Sequence, residues 1–235
     1  MRIAIIGEFK NSVPQTTLNQ SLEYLSKELD ITIEYTWIET NKLEENPRKE
    51  LSSYHGIWSA PGGPFKSLRG AVNAIKYARE NNVPHLGTCS GFQLTVIEIA
   101  RNLLGYREAQ HEEYDPESPQ LFVSRLACSL AGKTMRIQIK EGTQAFKWYG
   151  GKRAEENYYC NYGINPDFKA KLNHPDVVFS GVDHDGDVRI IEINKNDFFI
   201  STLFVPQTKS SKGNPHQLIR GFIQEAFRQF CNRER

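Results

Sequence analysis

The seven residues Gly87-Thr88-Cys89-Ser90-Gly91-Phe92-Gln93 constrain this chain more than any other stretch. They come after an apolar run, Val83-Pro84-His85-Leu86, and open a helical pattern, Leu94-Thr95-Val96-Ile97-Glu98-Ile99-Ala100-Arg101. A strand that turns sharply into a helix through G-x-C-x-G is a nucleophile elbow. Small residues flank the central side chain because the turn is tight, and that side chain is pushed above the sheet. The Cys89 thiol would then sit at a helix N-terminus, where unpaired amides and the macrodipole favour the thiolate. A single cysteine between a strand and a helix is commonly plain core packing. Glycines at both −2 and +2 favour the elbow instead.

An elbow of this kind needs a parallel sheet beneath it, and the first half of the chain alternates apolar runs with amphipathic helices as such a sheet requires. Residues 2–7 read as a strand, 16–29 as a helix with Leu18, Leu22, Leu25 and Leu29 on one face, and 31–38 as a second strand. Residues 56–60 form a third strand ending in Pro61-Gly62-Gly63-Pro64. A helix over 67–81 repeats Ala71, Ile75 and Ala78, and Gly105 suits the C-cap of the elbow helix. The second half changes character. Residues 133–140 alternate as a half-buried strand, 177–183 and 188–194 flank a hairpin tip at Asp185-Gly186, and 198–204 form another strand. An amphipathic helix over 215–230 starts at Pro215, which suits a first turn. Residues 142–154, rich in Gly and Lys, are expected to be a mobile loop.

At 235 residues the chain fits one large α/β domain spanning 1–235. Its formal charge is +1 with 24% charged residues and no basic stripe, which argues against nucleic acid and anionic membranes as partners. No stretch approaches the roughly 18 apolar residues of a membrane span, and the first residues read as a strand rather than a signal peptide. The cysteines at 89, 128, 160 and 231 lack C-x-x-C pairing, so neither a metal site nor a disulfide framework is expected. No cofactor is expected, and a reducing cytoplasm is the simplest location.

Pro61-Gly62-Gly63, the Cys89 elbow and the stretch 71–104 resemble class I glutamine amidotransferases, and in particular the glutaminase domain of CTP synthase. Ala78-Arg79-Glu80-Asn81-Asn82, Val96 to Asn102, Glu113-Tyr114-Asp115-Pro116 and, more loosely, Gly213-Asn214-Pro215-His216 carry the resemblance, in the right order over nearly the whole chain. It implies a flavodoxin-like α/β fold with a mostly parallel central sheet flanked by helices. No counterpart of the ATP-dependent synthetase domain is expected in this sequence. The resemblance makes Cys89 the nucleophile, puts the amides of Gly63 and Ser90 at an oxyanion hole, and gives Gln93 and Glu113 to substrate binding. It also exposes a departure. Where the family has F-H-P-E, this chain has Phe204-Val205-Pro206-Gln207, so Val205 replaces the catalytic histidine and Gln207 its orienting glutamate. Asn161 stands where the family places an arginine for the substrate carboxylate.

His111, close to Glu113, is the candidate substitute base. His85, within the elbow strand, is expected to point into packing, and His216 to be structural. His184, in Asp183-His184-Asp185-Gly186-Asp187, belongs to a hairpin tip rather than a cation loop. His55 and His174 have no companions that suggest chemistry. The cluster Tyr158-Tyr159-Cys160-Asn161-Tyr162 either lines the substrate entrance or packs a strand against the sheet. Three functions are open to such a chain. The first is an altered homologue that keeps the nucleophile, binds a small glutamine-like amide or acyl ligand and acts as a regulator or partner subunit. The second is an active cysteine hydrolase or amidotransferase with a substitute base. The third is a glutaminase subunit supplying ammonia to a separate synthetase.

Overall fold

The computed structural model describes residues 1–233. The strands are β1 (Arg2–Ile6), β2 (Glu34–Ile38), β3 (Gly56–Ser59), β4 (His85–Thr88), β5 (Gln110–His111), β6 (Leu121–Arg125), β7 (Thr134–Ile139), β8 (Arg153–Asn157), β9 (Tyr162–Ile164), β10 (Val177–Val182), β11 (Val188–Ile193) and β12 (Phe199–Thr202). The α-helices are α1 (Val13–Glu28), α2 (Pro47–Leu51), α3 (Leu68–Glu80), α4 (Ser90–Glu98), α5 (Gln144–Tyr149), α6 (Pro166–Lys169) and α7 (Gln217–Arg233). Nine strands form one mixed sheet in the order β2-β1-β3-β4-β12-β11-β10-β7-β8. The first five are parallel, in the flavodoxin-like order, and the remaining four extend the sheet in antiparallel fashion. A small sheet, β5-β6-β9, stands apart.

Helices cover both faces of the parallel half. Trp58 meets Phe222 of α7 edge to face, with centroids 5.9 Å apart, whereas a Cβ on Gly91 of α4 would touch Ser59, the next residue of β3. Alternate residues of a strand point to opposite faces, so α7 and α4 lie on opposite sides. Leu18, Leu22 and Leu25 of α1 and Ala71, Ile75 and Ala78 of α3 are buried, as their spacing predicts. β11 is buried along its whole length, including Arg189, paired with Asp183, and Glu192, which accepts the N–H groups of Gln144 and Ala145.

The expected mobile loop at 142–154 is a correction. Thr143 caps α5 by accepting the N–H of Phe146, Gly150 ends it at φ +68°, and β8 begins at Arg153. The glycines that suggest a loop mark the boundaries of a short helix instead. The last helix starts at Gln217 rather than Pro215, with the His216 ring accepting the N–H of Leu218 at 3.2 Å. The expected Gly105 signal holds: it lies at φ +80° just past the π-helical turn Ile99–Leu103 that continues α4.

Candidate active site

Cys89 closes the turn between β4 and α4 at φ 53° and ψ −105°. Such a conformation costs a non-glycine residue on the order of 1–3 kcal/mol, and the packing of the turn imposes it. A Cβ on Gly91 would lie 2.2 Å from the Ser59 carbonyl oxygen, and one on Gly87 would lie 2.5 Å from Ser201 Oγ. The two glycines therefore let the turn press directly onto β3 and β12. The Cys89 N–H donates to the Thr202 carbonyl at 2.9 Å, and its own carbonyl accepts from Phe92 and Gln93 at 3.0 and 3.2 Å.

The Cys89 side chain opens onto a cavity of about 240 Å³. Its walls are Pro61-Gly62-Gly63, Ser90 and Gln93, Glu113, the segment Tyr159-Cys160-Asn161-Tyr162, and Ser12 and Pro14. A larger open groove of about 520 Å³ runs along β7 and β8 but contains none of the elbow residues. The Pro61-Gly62-Gly63 loop is braced from below. Gln15 donates to the carbonyls of Glu8 and Pro61 at 2.9 and 3.1 Å, and Lys10 Nζ donates to those of Gly62 and Pro64 at 3.0 and 3.2 Å. The Gly63 N–H donates to the Ser90 hydroxyl at 2.8 Å, so that amide is already engaged.

Gln93 is held at both ends of its amide, donating to the Tyr162 carbonyl at 2.9 Å and pairing with His111 Nε2 at 3.1 Å. Glu113 borders the cavity with its carboxyl pKa raised by burial, an effect that the nearby Lys10 ammonium partly offsets.

The model of the glutamine amidotransferase class-I family matches residues 15–225. This chain belongs to that family. It is 35% identical to the CTP synthase of Thermococcus gammatolerans over 96% of its own length and 45% of that enzyme's. It is 34% identical to the CTP synthase of Saccharolobus solfataricus over 95% of its length and 44% of the relative's. The chain thus spans a little under half of the CTP synthases it matches. Among solved structures, the Trypanosoma brucei CTP synthase glutaminase domain with bound acivicin superposes at a TM-score of 0.89 with 23% identity, covering 97% of this chain and 94% of that one. A glutamine amidotransferase from Thermotoga maritima gives 0.61 at 12% identity, with 97% of each chain covered. These two likenesses establish the shared fold.

Against the family pattern, the segment leaving β12 is filled with neutral groups. Val205 and Gln207 are both fully buried. Gln207 donates to the Pro14 carbonyl at 3.1 Å, and its Oε1 has no hydrogen-bond partner among the described residues. His111, the expected substitute base, is buried on β5 and is not among the cavity-lining residues. Its Nδ1 accepts the Glu113 N–H at 3.0 Å, so Nε2 carries the proton and donates to Gln93. Burial holds its pKa down at about 4. His111 therefore orients Gln93, and taking up a proton at Nδ1 would cost the ring its bond to the Glu113 amide. His85 lies fully buried in β4, bonded to Ser59 Oγ at 2.9 Å, with its pKa lowered by burial to about 3.

The other histidines fall where packing puts them. His216 donates to the buried Glu156 at 2.9 Å. Asp183, His184 and Asp185 bring ligand atoms within 4.8 Å of one another. Asp183, however, is committed to Arg189 at 2.6 Å and to the turn amides of Asp185 and Asp187. The aromatic cluster divides between the two expected roles: Tyr158 packs against Phe204, and Tyr159 and Tyr162 line the cavity. Asn161 also lines it, accepting from the Ser129 hydroxyl at 2.6 Å.

Sequence reasoning missed two features. Gln15 and Lys10 brace the Pro61-Gly62-Gly63 loop from about fifty residues away, with no local signal. Cys160, treated as one member of an aromatic cluster, lies beside Cys89 at the cavity.

Proposed function

We propose that this chain is a CTP synthase-type glutamine amidotransferase-like protein that binds a small glutamine-like amide or acyl ligand at Cys89 and is impaired in hydrolysing it. The observation that carries this reading is the neutral, buried pair Val205 and Gln207 on the segment leaving β12, the strand next to the elbow. Attack of a cysteine thiolate on a side-chain amide gives a tetrahedral intermediate, which collapses to a thioester only when the departing nitrogen receives a proton. Valine has no proton to give, and glutamine has no charge to hold an imidazolium. Loss of the base in a catalytic unit of this type costs on the order of 10⁶ in turnover.

Two further features support impairment. The Gly63 amide, which would face the developing oxyanion, is engaged by Ser90 Oγ. Asn161 offers no positive charge to a substrate carboxylate, and the Lys10 ammonium near Glu113 is spent on backbone carbonyls. The similarity to CTP synthases supports a synthetase or regulatory protein as partner. Among the described residues, no helix is long and apolar enough to cross a membrane.

Ammonia release from glutamine tests the reading. The purified protein is expected to release no more ammonia than its Cys89→Ala variant. Release that Cys89→Ala abolishes would overturn it and favour an active hydrolase with a base outside the usual position.

A further inference from the structure

Two consecutive carbonyls at the end of β12 hold two different cysteines. The Thr202 carbonyl accepts the backbone N–H of Cys89 at 2.9 Å, and the Leu203 carbonyl accepts the thiol of Cys160, also at 2.9 Å. Both side chains line the same cavity. Cys160 sits between β8 and β9, where its own carbonyl accepts the Leu130 N–H at 3.0 Å, so it is fixed in place from a part of the chain remote from the elbow. It is also enclosed, at 2% exposure against 7% for Cys89. Both thiols face one cavity, and burial together with the neighbouring Cys89 pushes the Cys160 pKa up. The other two cysteines, Cys128 and Cys231, lie at the surface or half-buried, outside this cavity.

We propose that Cys89 and Cys160 are a redox pair that closes to a disulfide at the expense of a hydroperoxide. The Cys89 thiolate attacks one oxygen of ROOH. The O–O bond breaks, the alkoxide leaves and is protonated to ROH, and Cys89 becomes a sulfenic acid. Its sulfur has lost two electrons and the peroxide has gained them. The Cys160 sulfur then attacks the Cys89 sulfur, the S–O bond breaks, and hydroxide leaves with the Cys160 proton as water. The balance is two thiols plus ROOH giving a disulfide, ROH and water. A dithiol reductant returns both cysteines to thiols by exchange.

This chemistry matches what the cavity keeps and what it lacks. It needs a thiolate at an accessible turn and a second thiol within reach. It makes no use of an oxyanion amide and returns no proton to a departing amine. The neutral Val205 and Gln207 are therefore no obstacle to it. A site that has lost its proton shuttle and holds a second thiol against its nucleophile is better equipped for electron-pair transfer to a peroxide than for amide hydrolysis.

The test treats fully reduced protein with one equivalent of hydrogen peroxide and maps its peptides by mass spectrometry without reduction. The expected result is a linked peptide joining Cys89 to Cys160, loss of two of the four thiols, and return of both on adding dithiothreitol. In Cys160→Ser the expected product is a Cys89 sulfenic acid trapped by a 1,3-dione, with no linked peptide. Cys160→Ala serves the same purpose if the serine variant does not fold. Oxidation of wild-type protein that leaves Cys89 and Cys160 unlinked would overturn the proposal. So would linkage through Cys128 or Cys231, or a Cys89 that survives peroxide as the free thiol.

Discussion

β4 and β12 run side by side in parallel register, Thr88 beside Thr202, and deliver their next residues to the same end of the sheet. β4 leads into a strained cysteine whose geometry is enforced by two glycines and a carbonyl of the neighbouring strand. β12 leads into Phe204, Val205 and Gln207, all buried and uncharged. One exit is a tight turn fixed by its packing, while the other offers only neutral groups, which on the reading proposed above leaves the elbow without acid–base help. Backbone architecture and proton chemistry are therefore separable here. The first is locked by close packing, where a single methyl group is felt. The second rests on side chains that lie beyond the last residue of β12, outside the sheet's hydrogen-bonded ladder.

The largest expected effect breaks the architectural side of that comparison. Gly91→Ala places a methyl group against the Ser59 carbonyl, and should cost about 3–5 kcal/mol. That would appear as a melting temperature lower by about 10 °C or more, or as insoluble protein. A fall of less than about 2 °C would show that the turn has room to give.

Arg79→Ala attacks the elbow helix from behind. Arg79 makes a forked pair with the buried Glu98, Nη2 to Oε1 at 2.8 Å and Nε to Oε2 at 3.2 Å. Burial raises the Glu98 pKa, and the guanidinium opposes that rise. Stranding this carboxylate should cost about 3–4 kcal/mol, measurable by urea unfolding, and Arg79→Ala combined with Glu98→Leu should recover much of it.

The chemical side is sharpened by placing a histidine and a glutamate on the segment leaving β12. Val205→His with Gln207→Glu is expected to raise ammonia release from glutamine by about 10²-fold. No gain from a correctly folded double variant would mean that the cavity, and not the triad alone, has diverged.

The smallest effect concerns His85, which lies at the opposite end of the two strands from their exits, against Phe199 of β12 with ring centroids 4.4 Å apart. Its folded pKa of about 3 lies below the ordinary 6.5. The unfolded chain therefore binds more protons between those values, and stability is fully present above pH 6.5 and lost as pH falls. The slope is about 1.4 kcal/mol per pH unit. His111 contributes in the same sense down to about pH 4. The buried Glu98 and Glu192 carboxyls, whose pKa values are raised, act in the opposite sense in every variant. Comparing wild type with His85→Asn thus isolates the histidine: the fall in melting temperature from pH 6.5 to 4.5 should be smaller in the variant. Identical profiles would exclude a neutral, buried His85.

Much of the fold and half of the site are legible in the residues because they are local. The elbow, the Pro61-Gly62-Gly63 turn and the helical faces of α1 and α3 are encoded in short windows, and the proposed replacements at Val205 and Gln207 stand in a motif of four. The small separate sheet and β8 are harder to read. β5, β6, β8 and β9 have two to five residues each, too short for periodicity to speak, and the glycines around α5 mimic a loop. The site's non-local features are invisible for a different reason. Only the fold brings Cys160 against Cys89, Ser90 Oγ onto the Gly63 amide and His111 onto Gln93, and none of these pairs has a sequence signature.

The most direct measurement probes both exits at once. Reduced protein is incubated with acivicin, the ligand bound in the trypanosomal glutaminase domain, and the mass of the Cys89 peptide is read beside ammonia release from a parallel sample given glutamine. An intact elbow without its proton shuttle should give a stoichiometric adduct on Cys89 together with ammonia at the Cys89→Ala background. Sustained ammonia release that depends on Cys89, or a folded protein whose Cys89 never takes up the electrophile, would contradict it.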